Sequence, residues 1–565
     1  MIQSIFGVAI SPIRCYIRKI FFTQIREIQH FMEQENNNRN WSSQLGFLMA
    51  AAGSSIGLGN IWRFPYMTGT NGGGIFLLIY LLVVILIGVP LVMAEISLGR
   101  AVGGNPVKAF STKTPAKGLF TLALATVLIA GGILMLVTGN PAGALIVGLI
   151  GLLFLAFGWK TVGIFCGIVP LILLSYYGVI GGWTFLYIAD SARGINDFTT
   201  IQGADTVMKP ILHATGNWAY YVVASQVIFM AVCLGISLAG VRKGIERWSK
   251  MLMPLLFILM CVLIVRGLTL PGAGKGLRFF LDPDLSKLTA QSIIAAVGQA
   301  FFTLSLGMGI MLTYGSYLDR KTDITKAVIG VITLDTLAAI MAGIAIFPAV
   351  FAMGFAPSSG PDLTFKVLPA AFNMIPGNMG VIWNILFFLM LAIAAITSAI
   401  SLIEPPASIL EEELKISRKW AVTIVVLFCT AVGVFCALSM ADWINLPRIG
   451  AFVERIWYGP APGSFFEMLD SFCCNWILPM LGLASTIYVG WIWGSRNAVK
   501  ELREGNSGFL DNSIWLLMAG FKAKDGGKDR RYLMTPAILW GFALRWICPL
   551  LVLLAFFNCI GIIKF

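Results

Sequence analysis

The feature that most constrains this chain is a succession of long apolar runs, each close to the length of a bilayer crossing. They fall at roughly 42–68, 74–97, 119–138, 142–158, 162–192, 217–239, 246–268, 292–318, 325–352, 380–410, 420–438, 470–494 and 534–558. A helix needs about 20 apolar residues to cross the hydrocarbon. Inside lipid every backbone N–H and C=O must be satisfied within the protein, which leaves helices as the answer for runs of this length. Hydrophobic residues make up 58% of the 565 and charged residues only 12%, which excludes a soluble domain around a single core. The fold class is therefore an all-α polytopic membrane protein, with the lipid bilayer as its first partner.

Charge sets the orientation. With the N-terminus inside, 28 of the 40 Lys and Arg fall on the inner segments: the tail, 100–117, Lys160, 242–250, 320–326, 415–419 and 496–531. That is the positive-inside bias. It predicts a multi-pass protein of the plasma (inner) membrane with a cytoplasmic N-terminus, and it accounts for the formal charge of +13 without a nucleic-acid partner. The two histidines, His30 and His213, are too few for a His-based metal site, and Cys473-Cys474 reads as packing. No nucleophile–base set or nucleotide loop points to an enzyme. Residues 1–40 form a cytoplasmic tail that is polar from Met32 to Asn40 and in which, before that, Ile20, Phe21, Phe22, Ile25, Ile28 and Phe31 alternate with Arg18, Lys19 and Arg26. That segment reads either as an interfacial helix or as sequence upstream of a true start at Met32.

Two of the runs are interrupted. Gly53-Ser54-Ser55-Ile56-Gly57-Leu58-Gly59-Asn60 breaks the first, and Thr303-Leu304-Ser305-Leu306-Gly307-Met308-Gly309 breaks the run at 292–318. Each glycine costs roughly 1 kcal/mol against alanine in a helix interior. Unwound backbone at membrane depth is tolerated where it lines a protein-enclosed cavity, as an alternative to close helix–helix contact at small residues. When the hairpin 119–158 is set aside, the interruptions occupy the first of five spans in each of two halves. Halves with an odd number of spans lie in opposite orientations, and glycine-broken spans at matching positions point to a midplane binding site. The segments expected are a tail (1–40), a first repeat (41–268) holding the inserted hairpin, a second repeat (292–494), and a cytoplasmic loop with a final helix (495–565).

The residues around these breaks carry a resemblance. Trp41-Ser42-Ser43-Gln44-Leu45-Gly46, then Gly57-Leu58-Gly59-Asn60-Ile61-Trp62-Arg63-Phe64-Pro65-Tyr66 and Asn71-Gly72-Gly73-Gly74, is similar to the signature of the neurotransmitter:sodium symporter family. Gly298-Gln299-Ala300-Phe301-Phe302-Thr303-Leu304-Ser305-Leu306-Gly307 and Lys243-Gly244-Ile245-Glu246-Arg247-Trp248 resemble its bacterial amino-acid carriers. The resemblance covers about Trp41 to Asn558 and implies a LeuT-type 5+5 inverted repeat with broken helices 1 and 6. Eleven core spans match, and the hairpin adds two.

The resemblance also implies two sodium sites, a substrate pocket and a pair of gates. The first sodium site takes Ser55 (carbonyl), Asn60, Thr303 and Asp335. The second takes the carbonyls of Gly53, Ile56 and Ala394 with the hydroxyls of Thr397 and Ser398. Oxygen ligands suit a hard cation. The substrate would be held by Ser55, Leu58, Gly59, Tyr177, Phe302, Thr303 and Ser305, with Leu173, Met308, Ser398 and Leu402 as walls. Gly57 stands where amine carriers of the family have an aspartate, which favours a substrate bringing its own carboxylate. Arg63 and Asp470 match an outer gate, with Tyr177 and Phe302 as its lid. Trp41, Tyr317 and Glu412 match an inner gate, although the family's N-terminal arginine has no aligned partner, Arg39 lying one position away. Gly244 and Pro254 match a helix-unwinding hinge. Asp335 and Ala339 replace an asparagine and a glutamate of bacterial relatives, and chloride-dependent animal relatives place tyrosine and glutamine at the positions of Tyr80 and Gln299. A carboxylate at Asp335 predicts that no chloride is required. The expected function is sodium-coupled import of neutral, apolar L-amino acids by alternating access. The alternative is a non-transporting receptor or partner subunit of the same fold.

Overall fold

The computed structural model describes residues 40–111, 141–194, 216–352, 363–373, 379–440, 465–505 and 536–559, together with a few shorter pieces. The helices follow the apolar runs. Gly74–Val102, Lys160–Ala192, Trp218–Leu238, Val241–Leu268, Ile324–Ala352, Gly380–Glu413, Arg418–Met440, Met468–Ile492 and Pro536–Leu554 are each long and apolar enough to cross a membrane. Several run past the apolar residues that announced them: the helix expected at 380–410 continues to Glu413, and that at 246–268 begins at Val241. Most of the first arm of the hairpin lies outside the described residues; its second arm is the helix Pro141–Phe157.

One element departs from the all-helical expectation. Lys522–Asp525 and Lys528–Arg531 pair as antiparallel strands.

Both glycine-rich segments interrupt their helices. Gln44–Ser55 and Gly59–Thr70 form a pair bent by 46°. At the end of the first piece Ile56 takes up extended backbone (ψ 94°), which turns the chain out of the helix. In the other half Ala290–Thr303 and Ile310–Ser316 are separated by a turn in which Gly307 and Gly309 have φ of 75° and 69°. That left-handed backbone is cheap only for glycine. Ser305 in the same turn also has positive φ (54°), a position where a non-glycine residue is strained.

The broken segments are held by long unbroken helices. Gly380–Glu413 packs along Lys160–Ala192, and Gly74–Val102 lies against Ile310–Ser316. The break at Gly307 has a dedicated support: Glu95, buried on Gly74–Val102, accepts the Gly307 N–H at 3.0 Å through Oε1. A buried carboxylate that fixes an otherwise unpaired N–H makes the turn a defined structure.

Candidate functional site: a cavity between two broken helices

The two breaks face each other across a small cavity lined by Ser54, Ser55, Gly57, Leu58, Gly59, Leu173, Tyr177, Phe302, Ser305, Met308, Ile310, Ser398, Ser401 and Leu402. Of the residues expected to hold substrate, all but Thr303 line it. The Leu58 N–H points to the Tyr177 hydroxyl at 3.4 Å. Ser54, Ile310 and Ser401 line the cavity without having been expected there.

Gly57 has no room for a side chain. A Cβ there would collide with Ser398 Oγ and stand 3.2 Å from the Tyr177 hydroxyl. An aspartate at this position would require both side chains to move.

Beside the cavity, three residues expected at the first sodium site converge. Asn60 Nδ2 donates to Asp335 Oδ1 at 2.8 Å and to the Asp335 carbonyl at 3.0 Å. Thr303 Oγ1 is 3.0 Å from both Asp335 Oδ1 and Asn60 Oδ1. Tyr80 donates to Asp335 Oδ2 at 3.3 Å, and Gln299 Nε2 donates to the Gly59 carbonyl at 2.8 Å. Asp335 is fully buried, and Asn60, Thr303 and Tyr80 are all neutral donors to it. Ser55, the fourth expected member, has a buried hydroxyl without a hydrogen-bond partner among the described residues.

Of the residues expected at the second sodium site, Gly53, Ala394, Thr397 and Ser398 meet. Ser398 Oγ lies 3.4 Å from the Gly53 carbonyl and 3.1 Å from that of Ser54. Thr397 Oγ1 is 3.1 Å from the carbonyls of Ile393 and Ala394, and a Cβ on Gly53 would be 3.3 Å from Thr397 Cβ. Ile56, at the helix end where the chain turns, is fully buried. The Thr397 contacts are also those of an ordinary membrane-helix threonine bonding its preceding turn.

At the outer end Arg63 stacks on the Phe302 ring, its Cζ 4.9 Å from the centroid, with Nη1 buried and unpartnered among the described residues. Asp470 is within electrostatic reach of Arg63 and accepts from Cys474 Sγ at 3.5 Å. The guanidinium thus caps the aromatic lid of the cavity.

The inner end is arranged differently from the expectation. Trp41 and Tyr317 are together: Trp41 N–H donates to the Tyr317 carbonyl at 3.4 Å, and its indole N–H donates to the Tyr314 carbonyl at 3.0 Å. The Tyr317 hydroxyl, however, goes to Glu404 Oε2 at 3.2 Å, and Glu404 is held by Arg418 through both of its carboxylate oxygens. Glu412 is instead engaged by Lys108 Nζ at 2.7 Å and by the Asn105 side chain at 3.1 Å. Arg39 lies outside the described residues. Glu412 matches the family's inner gate by resemblance, whereas nothing in the sequence distinguishes Glu404 from the other polar residues of this helix.

The expected hinge lies at the start of another helix. Val241–Glu246, which contains Gly244, is wound as a π-helix and continues into Arg247–Leu268, which contains Pro254. A Cβ at Gly244 would collide with the Ile236 carbonyl. Glu246 ties this turn to the residues leading into the first helix by accepting the Ser42 N–H at 2.8 Å, and it pairs one turn along its own helix with the Lys250 ammonium at 2.6 Å.

Comparison with known proteins bears on this arrangement. Residues 38–133 and 206–523 match the Sodium:neurotransmitter symporter family. The chain belongs to that family. An uncharacterized sodium-dependent transporter of Bacillus subtilis is 33% identical over 93% of this chain and 98% of its own length. A human sodium- and chloride-dependent neutral and basic amino acid transporter is 26% identical over 83% of this chain and 74% of its own. Among solved structures, that of MhsT in complex with L-phenylalanine superposes with a TM-score of 0.70 at 34% identity, covering 92% of this chain and 99% of the other. The chain is therefore a multi-pass, sodium-dependent transporter of the LeuT fold, and these relatives are transporters, not enzymes.

Proposed function

We propose that this member of the symporter family imports neutral L-α-amino acids with two sodium ions, by alternating access and without chloride. The observation that carries the reading is Gly57. With a glycine there, the substrate would supply its own carboxylate to the N–H groups of Leu58 and Gly59 at the second helix start, where a helix dipole favours an anion. The ammonium would meet carbonyls near Ser55, Phe302 and Thr303. Leu173, Met308 and Leu402 give an apolar wall, to which methionine brings an adaptable shape. The phenylalanine in the MhsT structure is consistent with such a ligand.

Asn60, Thr303 and Asp335 would hold one sodium, with Ser55, and Gly53, Ile56, Ala394, Thr397 and Ser398 the other. Asp335 supplies the negative charge that chloride supplies elsewhere in the family. The energetics suffice: one Na⁺ moving down about 100 mV gains about 2.3 kcal/mol, and a tenfold gradient adds about 1.4 kcal/mol.

The deciding experiment is uptake of radiolabelled amino acids into vesicles reconstituted with the full chain, under an inward sodium gradient. Sodium-driven accumulation is expected. Binding without any uptake would instead mark a receptor of the same fold.

A further inference from the structure

One face of the cavity is built of hydroxyls. Ser54, Ser305, Ser398 and Ser401 come from three different segments and all are buried. Ser401 Oγ is 2.7 Å from the Ser398 carbonyl and 2.8 Å from Ser54 Oγ. Ser398 Oγ donates to the Ser54 carbonyl at 3.1 Å. Ser305 Oγ lies 3.3 Å from the Ser54 carbonyl and 3.3 Å from Ser54 Oγ. Each hydroxyl brings one hydrogen and two lone pairs. The two carbonyls and the neighbouring hydroxyl oxygens can take all four hydrogens, so the capacity left over on this face is for accepting.

Ser55 adds the opposite need. It also lines the cavity, and its buried hydroxyl has no partner among the described residues, so its hydrogen is unplaced. A buried polar group left unpaired is expensive. A hydrocarbon side chain seated here leaves both the orphan donor and the spare acceptors unmet. A neutral group that donates and accepts, a hydroxyl or a carboxamide, answers both. A charged group does not, because the serine face offers it no countercharge.

We infer that this serine face, with Ser401 and Ser54 as its new members, is a specificity element that favours amino acids carrying a neutral hydrogen-bonding group on the side chain over their hydrocarbon counterparts. The inference rests on the amino-acid reading above and deepens it.

The test is sodium-dependent competition binding on the purified full-length protein with three pairs of similar size: threonine against valine, tyrosine against phenylalanine, and glutamine against methionine. In at least one pair the polar member is expected to bind roughly three- to tenfold tighter, the worth of one net hydrogen bond. Ser401→Ala and Ser55→Ala should each narrow that ratio, with thermal unfolding as the check that the variants are folded. The wild-type panel decides the preference even if neither variant folds. If the hydrocarbon member binds as well or better in all three pairs, the serine face carries no specificity and the amino-acid reading stands. A preference that persists unchanged in both folded variants also overturns the assignment. If none of the six, and neither leucine nor tryptophan, binds in sodium, the amino-acid reading itself fails.

Discussion

Asn60, on the segment just past the first helix break, places its amide nitrogen 2.8 Å from Oδ1 of Asp335, which lies within the Ile324–Ala352 helix. The contact joins residues 275 positions apart. The carboxylate also takes Thr303 and Tyr80, and these donors are neutral. An ionised carboxylate buried among neutral donors lacks a countercharge, and burying a charge unpaired is costly. A sodium ion beside Asn60 and Thr303 would supply the charge that the protein does not.

The first prediction rests on that charge. At an effective dielectric of about 20, unit charges about 4 Å apart attract by about 4 kcal/mol. Asp335→Asn should therefore lower sodium affinity at least tenfold or abolish transport, and wild-type uptake should persist when chloride is replaced by gluconate. Asp335→Asn combined with Ala339→Ser is expected to gain a chloride requirement. A wild-type rate that collapses without chloride would refute Asp335 as the built-in anion.

Thr397→Ala tests the second sodium site. The substitution removes a hydroxyl that bonds its own preceding turn, so little stability is at stake. Expression and thermal stability should stay near wild type while the sodium concentration for half-maximal binding rises severalfold. An unchanged sodium titration would remove Thr397 from the site.

How much of the fold and site was legible depends on where the information sits. The breaks at Gly53–Gly59 and Gly307–Gly309 were readable because the residues that unwind a helix lie next to one another in the chain. Ser401 and Ser54 were not. A serine in a membrane helix ordinarily bonds the turn behind it, as Ser401 does to the Ser398 carbonyl, and nothing local says that it also faces a cavity. Glu404 and Arg418 meet only because the chain reverses direction between their two helices, a tertiary relationship that residue matching alone passed over in favour of Glu412. The helix ends ran past the apolar runs, since the backbone continues its ladder into water beyond the lipid.

Gly57 and the N–H groups beside it also bear on substrate class. Amines without a carboxylate, such as dopamine, would leave the N–H groups of Leu58 and Gly59 unmet, and Gly57 cannot compensate. In competition binding, leucine or tryptophan should displace a labelled amino acid at concentrations at least a hundredfold below dopamine. Amines that bind better than these amino acids would sink the argument from Gly57.

The inner end offers the last prediction. Glu404 is fully buried, and Arg418 engages it while Tyr317 donates a hydroxyl. Tyr317 lies just past the helix piece Ile310–Ser316 and touches Trp41, so this ion pair links the inner ends of both broken helices to the Gly380–Glu413 scaffold. Removing one member of a buried pair leaves the other charge uncompensated, at a cost of about 3–5 kcal/mol, whereas replacing both is often close to neutral. Arg418→Gln and Glu404→Gln should each lower the thermal stability of the sodium-bound state and weaken substrate binding, because a closed inner end is what holds sodium and substrate in place. The double variant should be more stable than either single one, and that non-additivity is the signature of direct coupling. A thermal-shift double-mutant cycle in sodium measures it. Additive losses would mean that the two residues stabilise the protein independently and that the inner gate is closed by other contacts, those of Glu412 with Lys108 and Asn105 being the next to test.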